Sequence, residues 1–117
     1  MAGRRSLSLP QRFPAVALAD TTTIATDAAL GDYFRVTLTG NRTLGNPTNM
    51  YDRQMVIWEL IQDATGGRTI TLGTAFALGT DISTVTLSVA GTKRDFLGAV
   101  YNATATKWFV IAFAKGY

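Results

Sequence analysis

The stretch Ile61–Gly73, IQDATGGRTITLG, places two adjacent glycines, an acid and an arginine between two apolar runs. A phosphate-binding loop would open a helix at this point, because the helix N-terminus supplies the free N–H groups that hold the anion. The residues after Gly67 instead alternate polar and apolar side chains, Arg-Thr-Ile-Thr-Leu, and this period of two predicts a strand. We therefore expect the bend at Asp63–Gly67 to join two paired strands of a β-hairpin.

The segments around this bend also have strand patterns. YFRVTLTG, residues 33–40, places Phe34, Val36 and Leu38 on one face and polar side chains on the other. RQMVIWELIQ, residues 53–62, is an apolar run between a Pro-Asn loop and the glycine bend, which favours a central strand over a helix.

The end of the chain predicts the clearest strand pair. KRDFLGAVYN and KWFVIAFAKGY flank ATAT, a loop of hairpin length. Consecutive strands without a helical segment between them predict an all-β fold. We expect an antiparallel β-sandwich, jelly-roll-like, of about eight strands with an extended N-terminal arm.

The N-terminal segment differs in composition from the rest of the 117 residues. Residues 1–19 contain two prolines and no regular period, which predicts an extended arm before a β-sandwich domain at 20–117. From Asp20 onward the chain has eight basic and eight acidic residues, so the net charge of +3 comes entirely from the arm. A basic arm on a neutral body suggests contact with an acidic partner. The predicted partner-binding residues of the arm are Arg4, Arg5, Arg12 and Phe13.

The composition argues against an enzyme. The chain has no histidine and no cysteine, which removes the usual general base, thiolate ligands and disulfides. Nothing in the spacing of the acids forces two of them together as a catalytic pair. The candidate acids for such a pair are Asp52, Glu59, Asp63, Asp81 and Asp95. We therefore predict no catalytic residue, no metal and no cofactor.

Two further partner classes lack a signal in the sequence. No run approaches the roughly 20 apolar residues that a membrane helix requires, so no membrane contact is expected. The body has no basic stripe with interleaved aromatic residues, so we expect no direct nucleic-acid binding.

Glu59 and the two tryptophans are the conspicuous side chains of the body. Glu59 is the charged residue inside the most apolar strand. It either faces outward or forms an ion pair with the arm or a neighbouring subunit, and if it is covered it must be paired. Trp58 and Trp108 are expected in the core.

Three segments, in this order, resemble a structural module of tailed-bacteriophage virions: LTGNRTLGNPTN, QDATGGRTITLG and DFLGAVYNATATKWFVIAFAKGY. The likeness spans residues 36–117 and does not reach the arm. The module is known both as a small separate protein and at the end of longer tail-associated chains. The resemblance therefore implies a virion component made in the cytoplasm of a bacterial host, either a small β-sandwich capsid decoration (cement) protein or a tail-fibre-associated protein.

Two functions fit that setting. A neutral β-body with a basic arm favours a non-enzymatic capsid decoration protein on the head surface, which binds the major capsid protein through its arm and forms a homotrimer with its own copies. The alternative is a tail-fibre, tail-tip or spike component that binds host-surface glycan through the loop NPTNMYD, with Asn46, Asn49 and Tyr51 as contacts. A carbohydrate-active enzyme is a third reading, which the missing histidine opposes.

Overall fold

The structure, a computed structural model, describes residues 13–117. This part of the chain forms two β-sheets and one short 3-10 turn, Ala28–Leu30. The first sheet has the strand order β1-β3-β5-β8-β9-β7, and the second has the order β2-β4-β6. The strands are β1 (Val16–Ala17), β2 (Thr23–Ile24), β3 (Tyr33–Leu38), β4 (Arg42–Leu44), β5 (Met55–Gln62), β6 (Ile70–Leu72), β7 (Phe76–Ala77), β8 (Arg94–Asn102) and β9 (Lys107–Ala114).

The period-two patterns form strands as predicted, and the apolar sides face the core. In β3 the side chains of Phe34, Val36 and Leu38 are buried, while Arg35 and Thr37 are exposed. The long apolar run forms β5 and lies in the middle of the first sheet. The predicted hairpin at the end of the chain is present as β8 and β9. The prediction of an all-β sandwich is confirmed.

The chain winds back and forth between the two sheets. The chain passes from the first sheet to the second three times, from β1 to β2, from β3 to β4 and from β5 to β6. The first two returns each add a strand parallel to and beside the previous one, so that Val16 pairs with Phe34 and Phe34 pairs with Trp58. The third return leads to β7, which lies at the other edge of the first sheet beside β9. The strands of the second sheet are also paired in parallel, with Thr23 opposite Thr43 and Thr43 opposite Thr71.

This connectivity corrects the expected strand directions. The pairs β5–β8 and β8–β9 are antiparallel, but β1–β3, β3–β5, β7–β9 and both pairs of the second sheet are parallel. The sandwich is therefore mixed, with mostly parallel pairs, and differs from the antiparallel sheets of a jelly roll. Alternation of apolar and polar residues fixes which side of a strand is buried, and it is the same for a parallel or an antiparallel neighbour.

The hairpin predicted at Asp63–Gly67 is wrong. The strand after the bend, β6, pairs with β4 of the second sheet instead of returning along β5. Gly66 and Gly67 have φ angles of 75° and 76°, in the left-handed region that favours glycine. The bend therefore turns the chain out of the first sheet and into the second.

The core is built around Trp58 of β5. Its ring centroid lies 5.6 Å from that of Trp108, 5.4 Å from that of Phe76 and 6.3 Å from that of Phe34. The Trp58 Nε1–H group donates a hydrogen bond to Thr26 Oγ1 at 3.0 Å, which satisfies the buried indole. Both tryptophans are fully buried, as predicted.

The described part of the predicted arm is joined to this fold. Residues 13–19 include β1, which pairs with β3 at one edge of the first sheet. Val16 and Leu18 pack against the core. The three arginines predicted for partner binding, Arg4, Arg5 and Arg12, lie outside the described residues.

No helix within residues 13–117 has the length and apolarity to cross a membrane.

Candidate functional site

A cleft of about 360 Å³ lies where β3 and β5 begin. We call it the cleft; it is lined by Phe13, Ala28–Asp32, Asn49, Tyr51 and Gln54. The side chains of Phe13, Leu30 and Tyr51 are strongly exposed at its rim. The structure thus brings together Phe13 of the predicted arm with Asn49 and Tyr51 of the predicted glycan loop.

Gln54 holds the two walls of the cleft together. Its buried Nε2 donates hydrogen bonds to the carbonyl oxygen of Ala28 at 2.9 Å and to Asp32 Oδ1 at 2.9 Å. Its Oε1 accepts a hydrogen bond from the backbone N–H of Tyr51 at 3.4 Å. Sequence reasoning missed this residue, because a glutamine before an apolar strand carries no signal of the long-range partners that it will meet.

The loop that carries Asn49 and Tyr51 is held at several points. Asn49 has a φ of 59° and Arg53 a φ of 70°, which is uncommon for residues other than glycine. Asn49 Nδ2 donates to Asp27 Oδ1 at 3.0 Å, and the backbone N–H of Arg53 donates to the carbonyl of Tyr101 at 2.8 Å. Such backbone conformations persist where surrounding contacts stabilise them, so this loop is preformed. A preformed loop loses less conformational entropy when it binds a ligand.

Asn46, the third residue predicted for this loop, lies elsewhere. Its Nδ2 donates to Thr74 Oγ1 at 3.1 Å, and its Oδ1 accepts from the backbone N–H of Ala75 at 2.8 Å. The side chain therefore fastens the loop to the segment after β6 and does not line the cleft.

The cleft combines exposed aromatic rings with a few polar side chains. Exposed aromatic rings such as Phe13 and Tyr51 can pack against the C–H face of a sugar ring, since the ring face is electron-rich. The polar side chains beside them are Asn49, whose Nδ2 donates to Asp27, and Asp32, whose Oδ1 accepts from Gln54. A mostly apolar concave surface with a few placed polar groups is the usual form of a small-ligand site.

Glu59 forms a second polar site, on the side of the first sheet that faces away from the second sheet. Its carboxylate is buried and accepts hydrogen bonds from the Tyr33 hydroxyl, from Arg35 Nε at 2.9 Å and from Arg94 Nη1 at 2.7 Å. Arg35 lies directly opposite Glu59 on the neighbouring strand β3. Sequence reasoning required Glu59 to be paired if it was covered, and the partners belong to the same chain.

The environment shifts the pKa values of this cluster. Burial raises the pKa of Glu59, but the hydrogen bonds from Tyr33 and Arg35 and the charges of Arg35 and Arg94 outweigh it, so the pKa lies below the usual value. Burial, followed by the hydrogen bond to Glu59, raises the pKa of Tyr33. Glu59 is thus a carboxylate at neutral pH that is paired with two arginines of the same chain, which suits a structural role.

Other acids that could have formed a catalytic pair are also engaged. Asp63 is paired with Arg68 Nη2 at 2.8 Å, and Asp95 accepts hydrogen bonds from Ser88 and Gly116. Asp52 accepts from the backbone N–H of Ala103 at 2.8 Å. Among residues 13–117 no three acids lie together in a way that could hold a metal ion.

Residues 21–92 match a family model described as "Putative phage tail fibre C-terminal domain". The match covers more than half of the chain, and it includes both walls of the cleft apart from Phe13. No curated protein and no solved structure matches the chain.

Proposed function

The chain belongs to the family of phage tail fibre C-terminal domains, and from this premise we propose that it is a tail-fibre module that binds a glycan of the host-cell surface through the cleft. Membership in this family makes the chain a structural component of the phage virion. The observation that supports glycan binding is the cleft itself, where exposed aromatic and polar side chains stand on a loop held by buried hydrogen bonds.

Three large apolar side chains, Phe13, Leu30 and Tyr51, are exposed together at the cleft. Single exposed apolar residues are ordinary on protein surfaces, whereas a cluster around a concave site indicates a ligand. Contacts of this small size bind weakly one at a time. Several copies on one virion would add their effects, so avidity would supply stable adsorption.

The capsid decoration role expected from the basic arm draws less support. The family is described by its place in tail fibres, which fits the alternative better than the head surface. The arginines on which that expectation rested lie outside the described residues. Binding to the major capsid protein and assembly into a homotrimer remain predictions.

A substitution at Tyr51 tests the cleft. We expect the labelled full-length chain to bind a subset of spots on a microarray of bacterial surface polysaccharides, and Tyr51→Ala to weaken that binding at least tenfold. The loss follows because the aromatic ring supplies much of the contact area of so small a site. Phe13→Ala is expected to act in the same direction.

Tyr117 provides the matched control. It is 66% exposed, compared with 61% for Tyr51, and it lies against Phe96 and the start of β8, outside the residues that line the cleft. Tyr117→Ala should therefore bind the microarray like the unsubstituted chain. Absence of binding by the unsubstituted chain, or an equal loss in both variants, would contradict the proposal.

A further inference from the structure

The surface of the first sheet that faces away from the second sheet carries apolar side chains on three neighbouring strands. Met55 and Ile57 of β5 and Phe109 and Ile111 of β9 are exposed, and Val100 of β8 is half-buried between them. Met55 pairs with Val100 and Val100 with Phe109, so these side chains form one continuous row across the sheet. We call this surface, with the outward side chains of β3 beside it, the outer face. An apolar surface of this extent indicates a binding partner.

A groove of about 410 Å³ crosses the outer face at Gly98. Gly98 and Ala112 line it, and a Cβ atom at Gly98 would lie 3.3 Å from the Cβ of Ala112. Ile57 and Ile111 line the groove, and the extra residue of a β-bulge at this point places Ile111 between the paired rows. The exposed side chain of Ile111 thus projects beside an apolar groove.

The two ends of the outer face carry opposite charge. At one end Arg35 and Arg94 share the single carboxylate of Glu59, which leaves one positive charge in excess. At the other end, where the strands β3 and β5 begin, Asp32 is exposed and lines the groove. An apolar centre with polar ends is the arrangement found in protein interfaces.

We propose that the outer face binds the outer face of a second copy of this chain, with Ile111 of each copy seated in the groove of the other. A two-fold axis perpendicular to the strands would place the arginine end of one copy over the Asp32 end of its partner. Such a contact needs one self-complementary surface. A ring of three copies needs two different surfaces that fit each other, so this geometry favours a pair over the homotrimer expected from sequence.

The area of the outer face is sufficient for a modest interface. Four adjacent strands, β3, β5, β8 and β9, contribute to it, and β5 and β9 are 8 residues long. Strands about 4.8 Å apart with a rise of about 3.3 Å per residue give a footprint of roughly 500 Å². Two such surfaces bury about 1,000 Å², which is at the lower end of the range for specific interfaces. The pair should therefore dissociate on dilution.

Sedimentation velocity on the full chain, from about 1 to 200 μM, tests this interface. We expect the mass to approach twice that of one chain as concentration rises, and Ile111→Lys to weaken association at least tenfold, because a lysine ammonium would lose its hydration in the apolar groove. Met55→Lys, on another strand of the same face, should act in the same direction and serves if the first variant folds poorly.

Val89→Lys is the matched control, since Val89 is also an exposed aliphatic residue, and it lies outside the outer face. It should leave the association constant unchanged. Circular dichroism melting curves verify that each variant is folded. A chain that stays monomeric over the whole range, a folded Ile111→Lys variant with normal association, or a trimer that contains three equivalent copies would overturn the proposal.

Discussion

Individual carboxylates of this protein are stabilised by donors that come from distant parts of the sequence. Asp20 accepts hydrogen bonds from Arg42 Nε at 2.8 Å and from the backbone N–H and hydroxyl of Thr39 at 3.1 and 2.6 Å. The Arg42 hydrogen bond is the main cause of a pKa of about 2 for Asp20; burial opposes it and the Thr39 donors add to it. The charged form of Asp20 is therefore strongly favoured in the folded state.

Acid should remove this stabilisation. Because the pKa of Asp20 is lower in the folded than in the unfolded chain, its contribution is complete above about pH 4 and is lost as the pH falls towards 2. We expect Arg42→Met to reduce the free energy of unfolding by about 1 kcal/mol at pH 7, a value discounted for the partial exposure of the pair. Urea unfolding at intervals between pH 2 and 8 measures both the loss and its pH dependence.

The variant should also have a flatter stability profile between pH 2 and 4, since the pKa of Asp20 would return towards its ordinary value. Lys115→Met removes a positive charge from an exposed residue outside the ion pairs of the described chain, and should keep the original profile. Equal acid sensitivity in Arg42→Met and the unsubstituted chain would show that this pair does not stabilise the fold.

The connections between strands determine the architecture as much as the strands do. The bend at Asp63–Gly67 carries the chain between the sheets and is packed against the segment before β8. The backbone N–H of Gly67 donates to the carbonyl of Val89 at 2.8 Å, and that of Gly66 donates to Asp63 Oδ1 at 3.0 Å. A side chain at Gly66 would meet the Val89 carbonyl oxygen at 2.4 Å, whereas nothing lies within 4 Å of a side chain at Gly67.

Alanine substitutions at the two glycines therefore distinguish the cost of backbone strain from the cost of a steric clash. Gly67→Ala should cost about 1 kcal/mol of stability, because alanine is strained at a positive φ. Gly66→Ala carries the same strain and a clash with backbone atoms, so it should cost about 3 kcal/mol or more. Urea denaturation of the two variants measures the difference. Equal costs would mean that the bend moves to accommodate the new Cβ atom.

In the complete domain, strands β1 to β6 wind three times between the two sheets, and β8 and β9 form an antiparallel hairpin. The cleft lies at one end of the first sheet, and the outer face covers the side of that sheet that faces away from the second. The two surfaces share Asp32. Pairing of two copies would therefore set two clefts in one assembly, and a bivalent particle would bind a repetitive surface more strongly than one domain alone.

The place of the domain in the virion can be measured by its copy number. In purified virions, peptide mass spectrometry should give a small fraction of the amount of the major capsid protein, because tails carry few copies of their fibre proteins while heads carry many shell subunits. The major capsid and major tail-tube proteins of the same sample calibrate the ratio. A ratio near one to the major capsid protein would favour capsid decoration and contradict the tail-fibre proposal.

Much of the candidate site was within reach of sequence reasoning, but its assembly was not. The exposed loop with Asn49 and Tyr51 could be predicted from its turn-forming residues, whereas Phe13 was predicted as a contact of the arm with a different partner. Their convergence in one cleft depends on β1 pairing with β3 and on Gln54 bonding the opposite wall. Contacts between residues so distant in the chain leave no local pattern.

The sequence by itself determined the all-β class, the segments that form the main strands and the side of each that is buried, with Trp58 and Trp108 in the core. These follow from the period of the apolar residues, which is a local property. Only the tertiary structure decided that β6 joins the second sheet, that most pairings are parallel and that the outer face stays apolar. The physical reason is that a strand with one apolar side satisfies its backbone hydrogen bonds equally well beside several partners, and packing of the complete chain selects among them.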